Sequence, residues 1–171
     1  MDDEKIWPDE AIQLIRTTQQ HHVQLSAMAD QKANMLIGAT FVVFTLAIGQ
    51  NNKADYSLPL LILATFSFLS AAFAALAVMP FTGNRAPNEP NWLFFGAFTK
   101  ASESEFTENI LTRIGAQETI YRTMLHDIYQ LGTVLETKKY RYLRIAYRLF
   151  LIGITLTFAV SAAEKAVGSV L

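Results

Sequence analysis

The chain has 171 residues, half of them hydrophobic (51%) and only 17% charged, with a net charge of −1 and no cysteine. That balance argues against binding a nucleic acid through bulk electrostatics. The missing thiols exclude disulfides, thiolate nucleophiles and thiolate zinc sites. The opening residues, M-D-D-E-K-I-W-P-D-E, are acidic and the first apolar run starts only at Met35, so no cleaved signal peptide is expected.

Pro8 and Asp9 suit the first turn of a helix, and residues 9–32 contain neither Gly nor Pro. Leu14, His21, Leu25, Met28 and Met35 share one face at helical spacing, an apolar stripe expected to pack against another helix. Residues 1–32 are therefore read as a cytosolic N-terminal helix. It runs through Asp30 and Lys32 into residues 33–50, the first transmembrane span, where the Lys32 stem reaches back to the interface. After a polar turn, Ser57 is placed to cap the next helix and Pro59 to occupy its first turn. Residues 58–79 are the second span: no charge, and about 33 Å long at helical rise. Ser67, Ala71 and Ala75 form a small-residue row that permits close helix contact.

Residues 80–147 are read as a cytosolic loop and long helix, the expected sensor region. The apolar run at 91–96, N-W-L-F-F-G, should lie at the membrane surface or under the helices. Ser102, with Glu105 three residues on, has the pattern of a capping box. Ile114, Tyr121, Ile128, Leu135 and Tyr142 then recur every seven residues as a seam for another helix, with Gly115 and Gly132 as weak points. The belt Lys138, Lys139, Arg141, Arg144 and Arg148 suits anionic lipid and leads into the third span, residues 146–163. Along that span Gly153, Thr157 and Ser161 fall four apart. Of 14 Lys and Arg residues, all but Lys53 and Lys165 fall on one side of this three-span arrangement, which implies an all-α membrane protein with its N-terminus in and its C-terminus out.

The motifs of common chemistries are missing. Adjacent His21 and His22 point about 100° apart on a helix. His126–Asp127 resembles the dipeptide of metal phosphohydrolases without the remaining ligands. There is no Gly-rich phosphate loop, nucleophile elbow or H-E-x-x-H helix. Neither a catalytic site nor a metal site is expected, and the spans hold no embedded charge of the kind ion pathways use. Asp30 and Lys32 read first as interface charges, the basic belt as lipid-facing with one or two members able to meet a small anion, and Tyr121, Tyr129 and Tyr140 as packing residues able to stack on a base.

Four segments together carry a resemblance: A-D-x-K-A-x-x-L-I-G at 29–38, N-x-L-F-F-G at 91–96, S-E-S-E-F at 102–106 and D-I-Y-x-L-G-x-V-L-x-x-K-K-Y at 127–140. In order and spacing the chain resembles the Pycsar transmembrane effector family over nearly its whole length. The resemblance implies a bacterial antiphage role. A partner pyrimidine cyclase would make a cyclic pyrimidine mononucleotide (cCMP or cUMP) during infection, and the effector would sense it and impair the inner membrane, causing abortive infection. No cofactor beyond that ligand is implied. Carried over by motif, the candidate ligand residues are Asp30, Lys32, Asn91, Lys138, Lys139 and Tyr140, with the cyclic phosphate expected to meet a Lys or Arg and the pyrimidine edge an amide such as Asn91. A homo-oligomer is expected from the seam and the small-residue rows. The competing readings are a helical membrane anchor or scaffold for a partner protein and a small channel subunit.

Overall fold

A computed structural model describes residues 7–51, 57–80 and 90–168. Its elements are α1 (Glu10–Asn51), α2 (Leu58–Val78), α3 (Phe95–Phe98), α4 (Glu103–Ile114), α5 (Gln117–Val134), a single π-helical turn (Leu135–Tyr140) and α6 (Arg141–Gly168), with no strand among the described residues. Three helical stretches, Glu10–Gln50, Leu58–Val78 and Gln117–Val167, are long and apolar enough to cross a membrane. The contacts divide the chain into two units, Met1–Ser26 with Pro80–Leu135, and Ala27–Met79 with Glu136–Leu171, and α1 contributes residues to both.

Helix α1 is unbroken through Lys32, but its buried face is not the expected stripe. Leu14 (70% exposed) and Met35 (66%) face outward, whereas Ile15, Ala29, Ala33, Leu36, Thr40 and Ala47 are buried. Small residues allow helix backbones to approach closely, so they mark the packed side, and the large apolar side chains are left on the outside. In α2 small residues pack as expected, but of the expected row only Ser67 is fully buried and Ala71 is half-buried. Ala64, Ser67, Ser70, Ala74 and Ala77 are its buried row, while Ala75 is exposed.

The second unit has a core of Ala29, Ala33 and Leu36 from α1, Ala74 and Ala77 from α2, and Leu143 and Ala146 from α6. Helices α2 and α6 meet closely: the Ser70 hydroxyl donates to the Ala146 carbonyl at 2.8 Å, and Gly153 lies directly against Phe66. Thr157 folds its hydroxyl back onto the Gly153 carbonyl at 2.7 Å, which satisfies a polar group within the apolar stretch of α6. Phe41, Leu46, Phe68, Leu151 and Phe158 are exposed on the outside, as a lipid-facing surface requires.

Ser57 stands at the N-cap of α2 without a side-chain capping bond, and Pro59 sits in the first turn. Ser102 does cap α4, its hydroxyl accepting the Glu105 N–H at 3.2 Å. The long helix expected beyond it is two helices, broken where Ala116 adopts extended backbone (φ −141°, ψ 149°). The Thr119 hydroxyl bonds the carbonyls of Ala116 and Arg113 there, offering freed backbone groups an alternative to helical pairing. The seven-residue seam begins only after this break: Ile114 is 55% exposed, whereas Tyr121 and Leu135 are buried. The π-helical turn then admits one extra residue, so the next fully buried side chain is Leu143, eight beyond Leu135, and Tyr142 is only half-buried.

Candidate functional site

In the first unit, the Asp127 carboxylate is 5% exposed and is held by two amides from distant parts of the chain. Gln19 on α1 donates to one oxygen at 2.6 Å, and Asn91 donates to the other at 2.8 Å. The Asn91 carbonyl oxygen in turn accepts the Leu93 N–H at 3.0 Å, fixing the turn that leads into α3. A buried carboxylate is costly unless its lone pairs are met, and these amides meet both oxygens. Trp92 beside Asn91 is buried, and Trp7 packs edge-on against Tyr121 with ring centroids 5.3 Å apart. The His22 ring lies against Gly132. The N-terminal part of α1 therefore packs beside α5, with Gln19 and His22 against Asp127 and Gly132 and with Trp7, just before the helix, on Tyr121.

Next to the clamp lies a cavity of about 820 Å³, bounded by Asn91 and Trp92, by Glu108, Asn109, Thr112 and Arg113 of α4, and by Thr119, Arg122, Thr123, His126 and Tyr129 of α5. Its basic side chains differ in their commitments. Arg122 is paired with Glu118 at 2.6 Å on the helix surface. Arg113 has a buried Nε with no hydrogen-bond partner among the described residues. His126 shares a ring nitrogen with the Gln130 amide at 3.0 Å. Among the described residues no three His, Asp or Glu side chains gather as a metal would require.

The motif-derived candidates separate into two sets. Asn91 belongs to the first unit and is committed to Asp127. Asp30, Lys32, Lys138, Lys139 and Tyr140 belong to the second. There the Lys139 ammonium donates to both oxygens of Asp30 at 2.7 Å, so these two opposite charges neutralise each other. Lys138 reaches the Met79 carbonyl at 3.4 Å, and Tyr140 packs against the apolar core. The Lys32 side chain is exposed, and its backbone carbonyl accepts the Tyr147 hydroxyl at 3.4 Å.

Gln19, Asp127, Arg113 and Arg122 were not among those candidates. Asp127 lies inside a quoted motif, which was the available signal, but its partners are 108 and 36 residues away. Arg113 and Arg122 are nine residues apart, which on one continuous helix places them on opposite faces. Only the break at Ala116 brings both to one cavity.

A family model described as the Pycsar effector protein domain matches residues 13–163. No curated protein and no solved structure matches the chain. With the match taking in most of the chain, parts of both units and most or all of each candidate span, the chain belongs to the Pycsar effector family, a membrane protein with an antiphage effector role.

Proposed function

We propose that this effector senses a cyclic pyrimidine mononucleotide, cCMP or cUMP, released by a partner cyclase during infection, and answers by impairing the bacterial inner membrane without catalysis of its own. The observation that carries the reading is the family match, which extends without interruption over a polar helical unit and a three-helix apolar unit. In this reading the first unit faces the cytosol and receives the nucleotide, and the apolar helices act on the bilayer. The Lys and Arg bias supports an N-terminus inside and a C-terminus outside. A reporter active only outside the cytosol should work after Leu171 and fail after Asn88; the reverse would overturn this topology. Self-association is part of the proposal. In the first unit Leu14 and Leu25 are exposed apolar side chains on one face of α1, suited to a second copy.

The test is expression with and without a pyrimidine cyclase, followed by phage challenge and a membrane-potential dye. Protection and depolarisation should appear only when both proteins are present. Protection with a fully polarised membrane would contradict the proposed action.

A further inference from the structure

We propose that the cavity between α4 and α5 is the nucleotide site, with Arg113 holding the cyclic phosphate. The proposal rests on the sensing role above and goes further by assigning residues that the sequence motifs do not. Ligand pockets commonly enclose about 300–1,000 Å³, and this cavity, at about 820 Å³, lies in that range. Its chemistry suits the three parts of a cyclic mononucleotide. The cyclic phosphodiester is a monoanion that presents two free oxygens, and a guanidinium is the side chain best shaped to meet them. Arg113 has the unmet donor: its Nε is buried and lacks a partner among the described residues. A buried donor left unmet is costly, so the free state gains when an acceptor arrives. Arg122 is already drawn toward Glu118, so Arg113 is the anchor.

The cavity also carries one carboxylate, Glu108, and two aromatic rings, Trp92 and Tyr129. A carboxylate repels the phosphate but accepts a hydroxyl. A 3′,5′-cyclic nucleotide keeps its 2′-hydroxyl as a donor on the face away from the phosphate oxygens. We therefore assign Glu108 to the ribose. Tyr129 is 74% exposed, an open ring face against which a pyrimidine can stack. The Asp127 clamp fixes Asn91, and with it the Trp92 wall, so the cavity is shaped before the ligand arrives.

The experiment is titration of cCMP and of cUMP into the full-length protein in nanodiscs, comparing wild type with Arg113→Gln, Arg113→Lys, Glu108→Gln and Tyr129→Ala. Arg141→Gln, in the other unit, is the control. Wild type should bind at least one nucleotide. Arg113→Gln should weaken binding at least tenfold, with partial recovery in Arg113→Lys. Glu108→Gln and Tyr129→Ala, both at exposed positions that the fold tolerates, should each weaken it several-fold, and the control should match wild type. Linear 5′-CMP and 5′-UMP should bind more weakly than the cyclic forms. Wild type binding neither cyclic nucleotide would overturn the sensing role itself. Wild-type binding left unchanged in Glu108→Gln and Tyr129→Ala, or weakened by Arg141→Gln instead, would leave sensing intact and overturn this site, whatever Arg113→Gln does to folding.

Discussion

Replacing Asn91 with Asp tests whether the amide clamp on Asp127 holds the first unit together. The Asn91 amide donates to Asp127 at 2.8 Å, and both residues are nearly sealed from solvent, at 2% and 5% exposure. The substitution removes a hydrogen bond to a charged group, a loss of about 1.5–3 kcal/mol. It also sets a second carboxylate against the first, and like charges about 4 Å apart repel by about 4 kcal/mol at an effective dielectric of 20. Escape by taking up a proton is no cheaper, because protonating an ordinary carboxyl of pKa near 4 at pH 7 costs about 4 kcal/mol. The expected loss is therefore about 4 kcal/mol or more, a large part of a typical domain's stability. For a chain of this length that corresponds to a fall of at least about 8 °C in melting temperature. Asn91→Ala, which adds no charge, should fall between wild type and Asn91→Asp. The readout is built in: both tryptophans, Trp7 and Trp92, lie in the first unit, so intrinsic tryptophan fluorescence follows that unit alone. A fluorescence midpoint for Asn91→Asp within 2 °C of wild type at pH 7 would refute the clamp.

Other perturbations address the remaining parts. Gly153→Ala would place a Cβ closer to the Phe66 Cβ than carbon atoms can approach, forcing α2 and α6 apart at a cost of about 1–3 kcal/mol; unchanged thermal stability in detergent would show that the two helices do not meet there. Leu14→Asp and Leu25→Asp alter exposed residues and should lower the assembled mass in detergent without lowering the fluorescence midpoint, whereas Leu135→Asp, at a buried position, should lower the midpoint directly. An unchanged mass in both α1 variants would remove this row from any assembly. Two glycines inserted after Lys32 soften an otherwise unbroken α1, at about 1 kcal/mol each in helix stability. That insert should keep nucleotide affinity within twofold and abolish depolarisation; retained depolarisation would show that α1 does not transmit the signal.

The three apolar helices were legible because an uncharged run such as that of α2 has few other stable environments. The packed face of α1 was not, because the eye follows Leu14 and Met35 while the contact is made by Ala29 and Ala33; on α2 and α6 the small-residue rows pointed to Ser67 and Gly153, which are packed, but not to Ala74 and Ala146. Of the heptad row, Tyr121 and Leu135 are buried and Ile128 is half-buried, while Ile114 is exposed. The continuation of the row failed at one inserted residue, since a π-helical turn leaves no signature in hydrophobic spacing. The cap at Ser102 was visible because it is local. The Asp127 clamp was not, because hydrogen bonds across 108 residues follow from the tertiary fold and leave no mark on neighbouring positions. The residue set taken from motif likeness mixed two kinds of position: Asp30 and Lys139 form an ion pair, and Asn91 fixes a turn. The cavity with Arg113 depends on a helix break at Gly115–Ala116, where Gly115 was one of the two weak points the sequence offered; Gly132, the other, lies inside an unbroken α5.

The central claim is that a cyclic pyrimidine nucleotide alone switches this chain to membrane damage. Purified protein in liposomes of bacterial inner-membrane lipid, loaded with a self-quenching dye and clamped with a potassium gradient, tests it without phage, cyclase or host. Adding cCMP or cUMP should collapse the potential within minutes, in a dose range matching the nanodisc affinity, while the linear monophosphates leave it intact and Arg113→Gln needs at least tenfold more nucleotide. Liposomes that stay polarised with the nucleotide bound, or that collapse equally without it, would contradict the account.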